Sequence, residues 1–403
     1  MTNNLLNKFI DEHNYDIRQS RNGRWIDQKC TMDELCFVAD CVVVYLQDNG
    51  INEFSAPDIW RTNYASENVQ KLFCKPDPND PRAKDEYNKF FREPLKMLSA
   101  AGVLSERKQG STILFTVVNQ AVLEYLSMRE RNCLDFLTSY IEKTLKDSGL
   151  WDAFDSFFDE QTPEQFRALK RQFRKFCFDN TPIQNDAEAY RIFAKVLNPL
   201  SVIYKKYGSV KGRLSKRIIT LEDLKYNRLN FRDKNKNKNV SRQQAASAPQ
   251  VQEPRQSYNV EKAKRRLRMY NVRKNGGDSE VIDELSITEK ATHIHHIFPK
   301  KEFPTIAAYV ENLIALTAGQ HLQKAHPNGN TNNINKEFQK ICLLNKTKHI
   351  QENLAEKDDD VFYDFSIFMF VLDTGLNTNY FGEIPENDFK MVVEGIKINF
   401  PTK

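Results

Sequence analysis

Three of the chain's seven histidines fall within four positions, in the stretch ATHIHHIFPKKEFP that runs from Ala291 to Pro304. Further on, ENLIALTAGQHLQKAHPNGNT supplies Asn312, then His321 nine residues later, then Lys324 and His326. Imidazole does two kinds of work at neutral pH. Its reference pKa of about 6.5 lets the neutral ring take a proton, and its ring nitrogens bind metal ions. Hydrolysis of a phosphodiester uses both, because the attacking water must lose a proton and a cation must offset charge on the leaving 3′ oxygen. His293 shares a strand face with His295 by the two-residue period, and either substrate contact or a structural role fits it.

Such residues need a scaffold that brings separate chain segments together. ATHIHHI has strand character, Phe298 to Glu311 is a loop bearing two prolines, and Leu313 to Leu316 is a second short strand. Thr317 is placed to cap a helix that carries His321 and stops at Pro327. In a regular strand the neighbours His295 and His296 point to opposite faces, so they serve one phosphate only where the strand ends or distorts. Pro299, just beyond, is consistent with such an end.

This order of strand, loop, strand and helix resembles the HNH endonucleases, also called ββα-metal nucleases. Their pattern is Asp or His followed by His at the end of the first strand, Asn at the head of the second, and an Asn or His ligand in the helix. His295, His296, Asn312 and His321 match it in order, within the stretch from Lys290 to Lys348. The resemblance implies that His295 and His321 hold one divalent cation, that His296 activates water, and that Asn312 stabilises the loop and so fixes the base. Mg²⁺ is the first expectation, and imidazole ligands also admit Mn²⁺, Ni²⁺ or Zn²⁺. Two departures stand out. The chain has no cysteine pairs for the structural zinc many members carry, and the place four residues after the first helix ligand is Ala325, with the histidine one later at His326. His326 and Lys324 are therefore candidates for a third ligand or a phosphate contact.

The remainder of the chain bounds what such a site can belong to. At 403 residues it is long enough for two or three domains, and 40% hydrophobic residues can fill their cores. No run approaches the roughly 18 apolar residues of a membrane span, and the N-terminus lacks the pattern of a secretory signal. Seven cysteines without a CxxC pair point to a reducing cytoplasm and exclude a four-thiolate zinc site. The net charge of +5 hides a strong asymmetry: Lys205 to Lys274 carries 21 Lys and Arg against 5 Asp and Glu. A block of that sign suggests a polyanion, most simply nucleic acid. Residues 233–257, poor in apolar side chains, also read as a basic polar linker.

Ahead of that linker the periodicity is largely helical, and the fold class expected is α+β, multidomain. One helix starts at Thr31 as N-cap, with Glu34 at the capping-box position, and ends near Gly50. A short second has Ser55 as cap and Pro57 in its first turn, and a third, roughly Glu86 to Ala101, leads into a hairpin. Helix, helix, helix, hairpin resembles a winged-helix DNA-binding domain. Phe91, Leu95 and Leu98 would form the buried stripe of the third helix, beside Lys89, Arg92 and Lys96 on a neighbouring stripe, with Arg107 and Lys108 in the wing. Arg265, Arg266 and Arg268 add candidate DNA contacts beyond the linker. A solvated basic face on a protein-binding module is the alternative. The stretch from Asn198 to Asp233, rich in Tyr, Arg and Lys, could interleave phosphate contacts with aromatic packing.

The expected organisation is a winged-helix-like recognition domain over 1–127, a helical connector over 128–232, the linker over 233–257, and an HNH nuclease domain with C-terminal helices over 258–403. The expected function is a sequence-specific DNA endonuclease of the bacterial restriction type, cytoplasmic, acting on double-stranded DNA. One such site cuts one strand, so a homodimer or two sequential nicks is implied. The segment from Asp359 to Phe400 is apolar enough to pack on the nuclease core or to make the dimer contact. A homing, phage-type or modification-dependent endonuclease would share the catalytic residues. A non-catalytic winged-helix regulator is the reading from a different class, and an intact His296 argues against it.

Overall fold

Buried polar residues, as much as apolar ones, decide where the elements of this chain begin and how they are held. The computed structural model describes residues 4–73, 75–81, 84–226, 249–287, 289–326, 334–356 and 362–400. It is an α+β protein, mostly helical with small antiparallel sheets, and it divides into two units, Met1–Val251 and Gln252–Lys403. No described helix is long and apolar enough to cross a membrane.

The first unit begins with α1 (Asn4–Asp11), α2 (Ile17–Ser20) and α3 (Met32–Asn49), followed by β1 (Glu53–Ser55), α4 (Ala56–Trp60), α5 (Asn63–Phe73), α6 (Lys84–Ala100), β2 (Leu104–Gln109) and β3 (Thr112–Val117). Then come α7 (Gln120–Met128), α8 (Glu130–Asp147), α9 (Trp151–Asp159), α10 (Pro163–Asn180), α11 (Asp186–Ile203), the hairpin β4 (Tyr207–Val210) and β5 (Arg213–Ile218), and α12 (Leu221–Leu224). β3 lies between β1 and β2, antiparallel to both. Helix α3 is buried on every side from Met32 to Val44 and packs against α6, α7 and α8. The residues expected to form a separate recognition domain and the helical connector therefore share one core around α3.

Local signals set the helix ends. Ser55 and Asp58 form a reciprocal capping box, and Gly50 ends α3 in the left-handed region at φ +63°, where an L side chain would be strained. Thr31 holds the N-cap position of α3 without capping it. Its hydroxyl donates to the carboxylates of Asp33 and Glu34 at 2.8 and 3.0 Å, because two buried acids there need a donor. On α6, Phe91, Leu95 and Leu98 are buried as the periodicity requires, and the helix runs on through Pro94.

A polar knot ties the residues just after α12 back to the centre of the first unit. The Tyr226 backbone N–H donates to Asp33 at 3.0 Å, its ring meets those of Phe73 and Phe90, and its hydroxyl bonds Lys29, Lys75 and Glu86. Glu86 accepts from both ammonium groups, at 2.7 and 2.9 Å. Burial alone would raise its carboxyl, but the two lysines outweigh it and bring the pKa down to about 2.

In the second unit, α13 (Pro249–Asn275) leads to β6 (His293–His296) and β7 (Leu313–Leu316), a π-helical turn (Gln320–Ala325), α14 (Lys336–Ala355), α15 (Phe365–Leu376) and α16 (Phe389–Asn399). Helix α13 already includes residues 249–257, which the composition assigns to a linker; residues 233–248 lie outside the described residues. β6 and β7 pair antiparallel with His293 opposite Leu316 and His296 opposite Leu313. The other edge of β7 is held mainly by Glu280, with Ser279 Oγ adding a bond to Ala315 O at 3.3 Å. Glu280 donates its N–H to Ala315 O at 2.9 Å, and its carboxylate accepts the Ala315 N–H at 2.6 Å. Lys346, fully buried, neutralises that carboxylate at 2.5 Å. Helices α15 and α16 pack on this core. A Cβ at Gly375 would lie 2.3 Å from the Phe298 ring, so α15 meets the loop after β6 at closest approach.

Replacing Glu86 by Gln leaves two buried ammonium groups facing each other, with an expected cost of about 3–5 kcal/mol in denaturant unfolding. The Glu86 pKa is depressed on folding, so its contribution is fully present above the unfolded value of about 4.5 and is lost as pH falls through the folded pKa of about 2. The Gln variant should lose this pH dependence. Wild-type and Gln unfolding midpoints that coincide would rule out the role of the knot.

Candidate metal centre

Three imidazoles converge where the β6–β7 hairpin meets the π-helical turn. Ligand nitrogens of His295, His321 and His326 all lie within 4.8 Å of one another. Their ring centroids are 5.3 Å apart for His295 and His321, 5.0 Å for His295 and His326, and 4.9 Å for His321 and His326. His295 and His326 are buried and His321 half-buried. The sequence spacing left His326 one residue off the family position. The turn absorbs that residue: the His326 N–H donates to His321 O at 3.2 Å, closing a loop one residue wider than an α-helical turn.

Buried Gln320 holds the turn in place. Its side-chain carbonyl accepts from Ser279 Oγ at 2.6 Å and from the Thr317 N–H at 3.1 Å, and its amide donates to Val281 O at 2.8 Å. Thr317 Oγ1 in return accepts the Gln320 N–H at 3.1 Å, the capping role expected of it. The expected stop at Pro327 lies outside the described residues.

The protonation state suits metal ligation. Burial, with His321, His326 and His296 nearby, drives the His295 pKa down to about 3, and burial with His326 and His293 brings His321 to about 4. These rings are neutral at physiological pH, with lone pairs free to bind a metal. His321 Nδ1 is buried and has no hydrogen-bond partner, a cost that a bound ion removes. The residues present therefore fit one metal ion held by His295, His321 and His326. His293 stacks on His321 at 4.8 Å and remains outside the trio.

His296 occupies the last position of β6, and its Nε2 lies 3.0 Å from Ala307 O. A carbonyl only accepts, so Nε2 carries the proton and Nδ1 of the neutral ring holds the lone pair. Burial, then Lys264, brings the His296 pKa down to about 4. Asn312 fastens the loop that supplies this carbonyl. Its Oδ1 accepts from the Phe298 N–H at 2.8 Å, and its Nδ2 donates to Phe298 O at 3.0 Å and Ile306 O at 3.3 Å.

Beside His293 runs a cleft of about 440 Å³ between α13 and β6, lined by Glu261, Lys264, Arg265 and Arg268 on one side and Thr292, His293 and Ile294 on the other. Lys264 pairs with Glu261 at 3.4 Å on the same helix, and its charge adds to burial in depressing both His296 and His321. Neither Lys264 nor Gln320 was singled out from sequence. A signal for Gln320 existed, the Thr317-x-x-Gln320 capping pattern.

Several expected nucleic-acid contacts are engaged elsewhere. Lys324 pairs with Asp283 and Glu284, Arg107 grips Glu53 through two bonds, and Lys96 meets Glu106. Arg266 is 3% exposed and cannot reach a ligand in solvent. Arg268 is exposed and Arg265 partly so, both on the cleft, whereas Lys89, Arg92 and Lys108 are exposed on the first unit. Compared with known protein families, curated proteins and solved structures, the chain matches none.

By titration calorimetry with Mn²⁺, Gln320→Ala should bind about 10–100-fold more weakly, the usual loss when a group supporting a ligand is removed. His326→Ala should lose more than that. Unchanged affinity in His326→Ala would leave a two-histidine site.

Proposed function

We propose that the chain is a metal-dependent endonuclease of the HNH kind, cutting double-stranded DNA. The observation that carries this reading is the pairing of a three-imidazole metal centre with a fourth imidazole, His296, which lies on the same strand as His295 and whose tautomer is set by Ala307 O. A cationic cleft opens beside them.

Lys264 and Arg268 hold the phosphodiester in the cleft as cations against its oxygens. His296 takes the proton of the attacking water at Nδ1, while its Nε2–H stays on Ala307 O. A negatively charged phosphate entering beside His296 raises the pKa of that ring from its depressed value and so strengthens it as a base. Asn312 keeps the Phe298–Ile306 loop from relaxing, so the ring does not swing away from the water. A bound divalent ion supplies Lewis acidity toward the phosphate and offsets charge on the leaving oxygen. Three imidazoles without a carboxylate suit Ni²⁺ or Zn²⁺ better than Mg²⁺, the first expectation from sequence.

Sequence specificity is assigned to the first unit. On α6 and the β2–β3 hairpin, Lys89, Arg92 and Lys108 are the exposed cations among the five basic residues singled out there that form no ion pair with a described residue. This winged-helix-like face supports the restriction-type reading over a nonspecific nuclease.

Incubating the full chain with plasmid and phage DNA, each with Mg²⁺, Mn²⁺, Zn²⁺ or EDTA, tests the proposal. Discrete fragments that require metal are expected. His296→Ala should slow cleavage about 100- to 10,000-fold, the usual contribution of a general base, with metal affinity retained. Failure to cut either modified or unmodified DNA with any ion would overturn the enzyme reading.

A further inference from the structure

The hairpin of β4 and β5 is built inside out. A two-stranded antiparallel pair on a protein surface ordinarily turns its apolar side chains inward. Here the inward positions are Gly208, Ser209 and Ser215, all buried. They are fastened to the helices by polar bonds. Asn198 of α11 donates to Ser209 O at 3.0 Å and accepts its N–H at 2.7 Å, and Ser201 donates to Tyr207 O at 3.0 Å. Gln161, ahead of α10, bonds both backbone groups of Tyr207 at 3.0 Å. At Gly208 a Cβ would stand 2.6 Å from Asn198 Oδ1, so close approach demands glycine.

Of the hairpin's large apolar side chains, only Leu214 is half-buried and the others are exposed. Tyr207, Val210 and Ile218 are 38%, 47% and 47% exposed, and Tyr207 sits directly opposite Ile218 across the ribbon. Lys211, Arg213 and Lys216 surround them, exposed and without an ion pair to any described residue. Arg217, also on β5, is bound to Asp223, which leaves Lys211, Arg213 and Lys216 as the ribbon's available cations. Exposed apolar groups set among unneutralised cations mark a surface that is covered in use.

We infer that this hairpin is a second DNA-binding surface, a ribbon that enters a groove of the duplex with Lys211, Arg213 and Lys216 on phosphates and Tyr207 and Ile218 against sugars and base edges. Shape and charge both support this occupant. The major groove, about 12 Å wide, admits a two-stranded ribbon, and apolar side chains flanked by cations are what groove-inserting proteins present. The hairpin also lies near the start of the Lys205–Lys274 block, whose cation excess calls for a polyanion. This surface belongs to the first unit and needs no cleavage to act.

The test is duplex binding by the full chain in EDTA, by fluorescence anisotropy over a range of salt. Arg213→Ala/Lys216→Ala should bind roughly 10- to 100-fold more weakly, with a log Kd against log salt slope shallower by about two, since each phosphate contact contributes about 0.9. Arg213→Lys/Lys216→Arg should restore both, and Tyr207→Ala should weaken binding with the slope unchanged. Lys390→Ala/Lys397→Ala, which removes equal charge from α16, should do neither. Unaltered affinity and slope in the Arg213/Lys216 variant, with an unaltered melting midpoint, would overturn the assignment. So would normal duplex binding accompanied by lost binding to anionic vesicles. DNA cleavage by the wild-type chain, together with duplex binding by the Arg213→Ala/Lys216→Ala variant as tight as wild type, would refute the ribbon and leave the nuclease reading intact.

Discussion

The candidate chemistry of this chain depends on one hydrogen bond, from the His326 N–H back to the His321 carbonyl. In an α-helix, residues five apart are about 140° out of phase around the axis, and their side chains diverge. Widening the turn by one residue brings both imidazoles to the face that His295 approaches from β6. π-Turns are uncommon because they sacrifice α-helical bonding, and where they persist they usually serve a site. Here the sacrifice is offset by Gln320, which is satisfied on every side by Ser279, Thr317 and Val281.

The same economy governs the surrounding framework. The two-stranded sheet is too small to be stable alone. Glu280 supplies the missing edge of β7 with its own backbone and carboxylate, and Lys346 and Tyr363 make that buried charge tolerable. Asn312 does comparable work on the loop after β6, and Phe298 in that loop is pressed by Gly375 of α15. The fixed loop gives His296 its tautomer. Helix α13 then supplies what a phosphodiester requires, a cationic wall beside the imidazoles. Metal centre, base and cleft thus rest on separate elements joined by buried polar bonds, which tolerate little displacement.

Much of this was legible in the residues alone. Strand, loop and strand fall where the short apolar runs and the prolines place them, because such signals are local in the chain. The Ser55 cap, the Gly50 terminus and the Phe91–Leu95–Leu98 stripe were legible for the same reason. Partners distant in sequence were not. Arg107 and Lys108 look alike as wing cations, yet one is held by Glu53 and the other is exposed. Arg266 and Arg268 differ in the same way, since only the fold reveals which side of α13 is buried. His326 fell outside the expected spacing because helical period, not bonding pattern, is what spacing encodes. Thr31 marked its helix start correctly and missed the bond, since the acids that take its hydroxyl are buried by tertiary packing.

The central claim is that His295, His321 and His326 bind one metal ion through three imidazole nitrogens. X-ray absorption at the metal edge of the protein loaded with one equivalent of Mn²⁺ or Zn²⁺ measures this directly. Three imidazole scatterers near about 2.0–2.1 Å are expected for Zn²⁺, falling to two in His326→Ala. A spectrum with oxygen ligands alone, or one that His326→Ala leaves unchanged, would contradict the account.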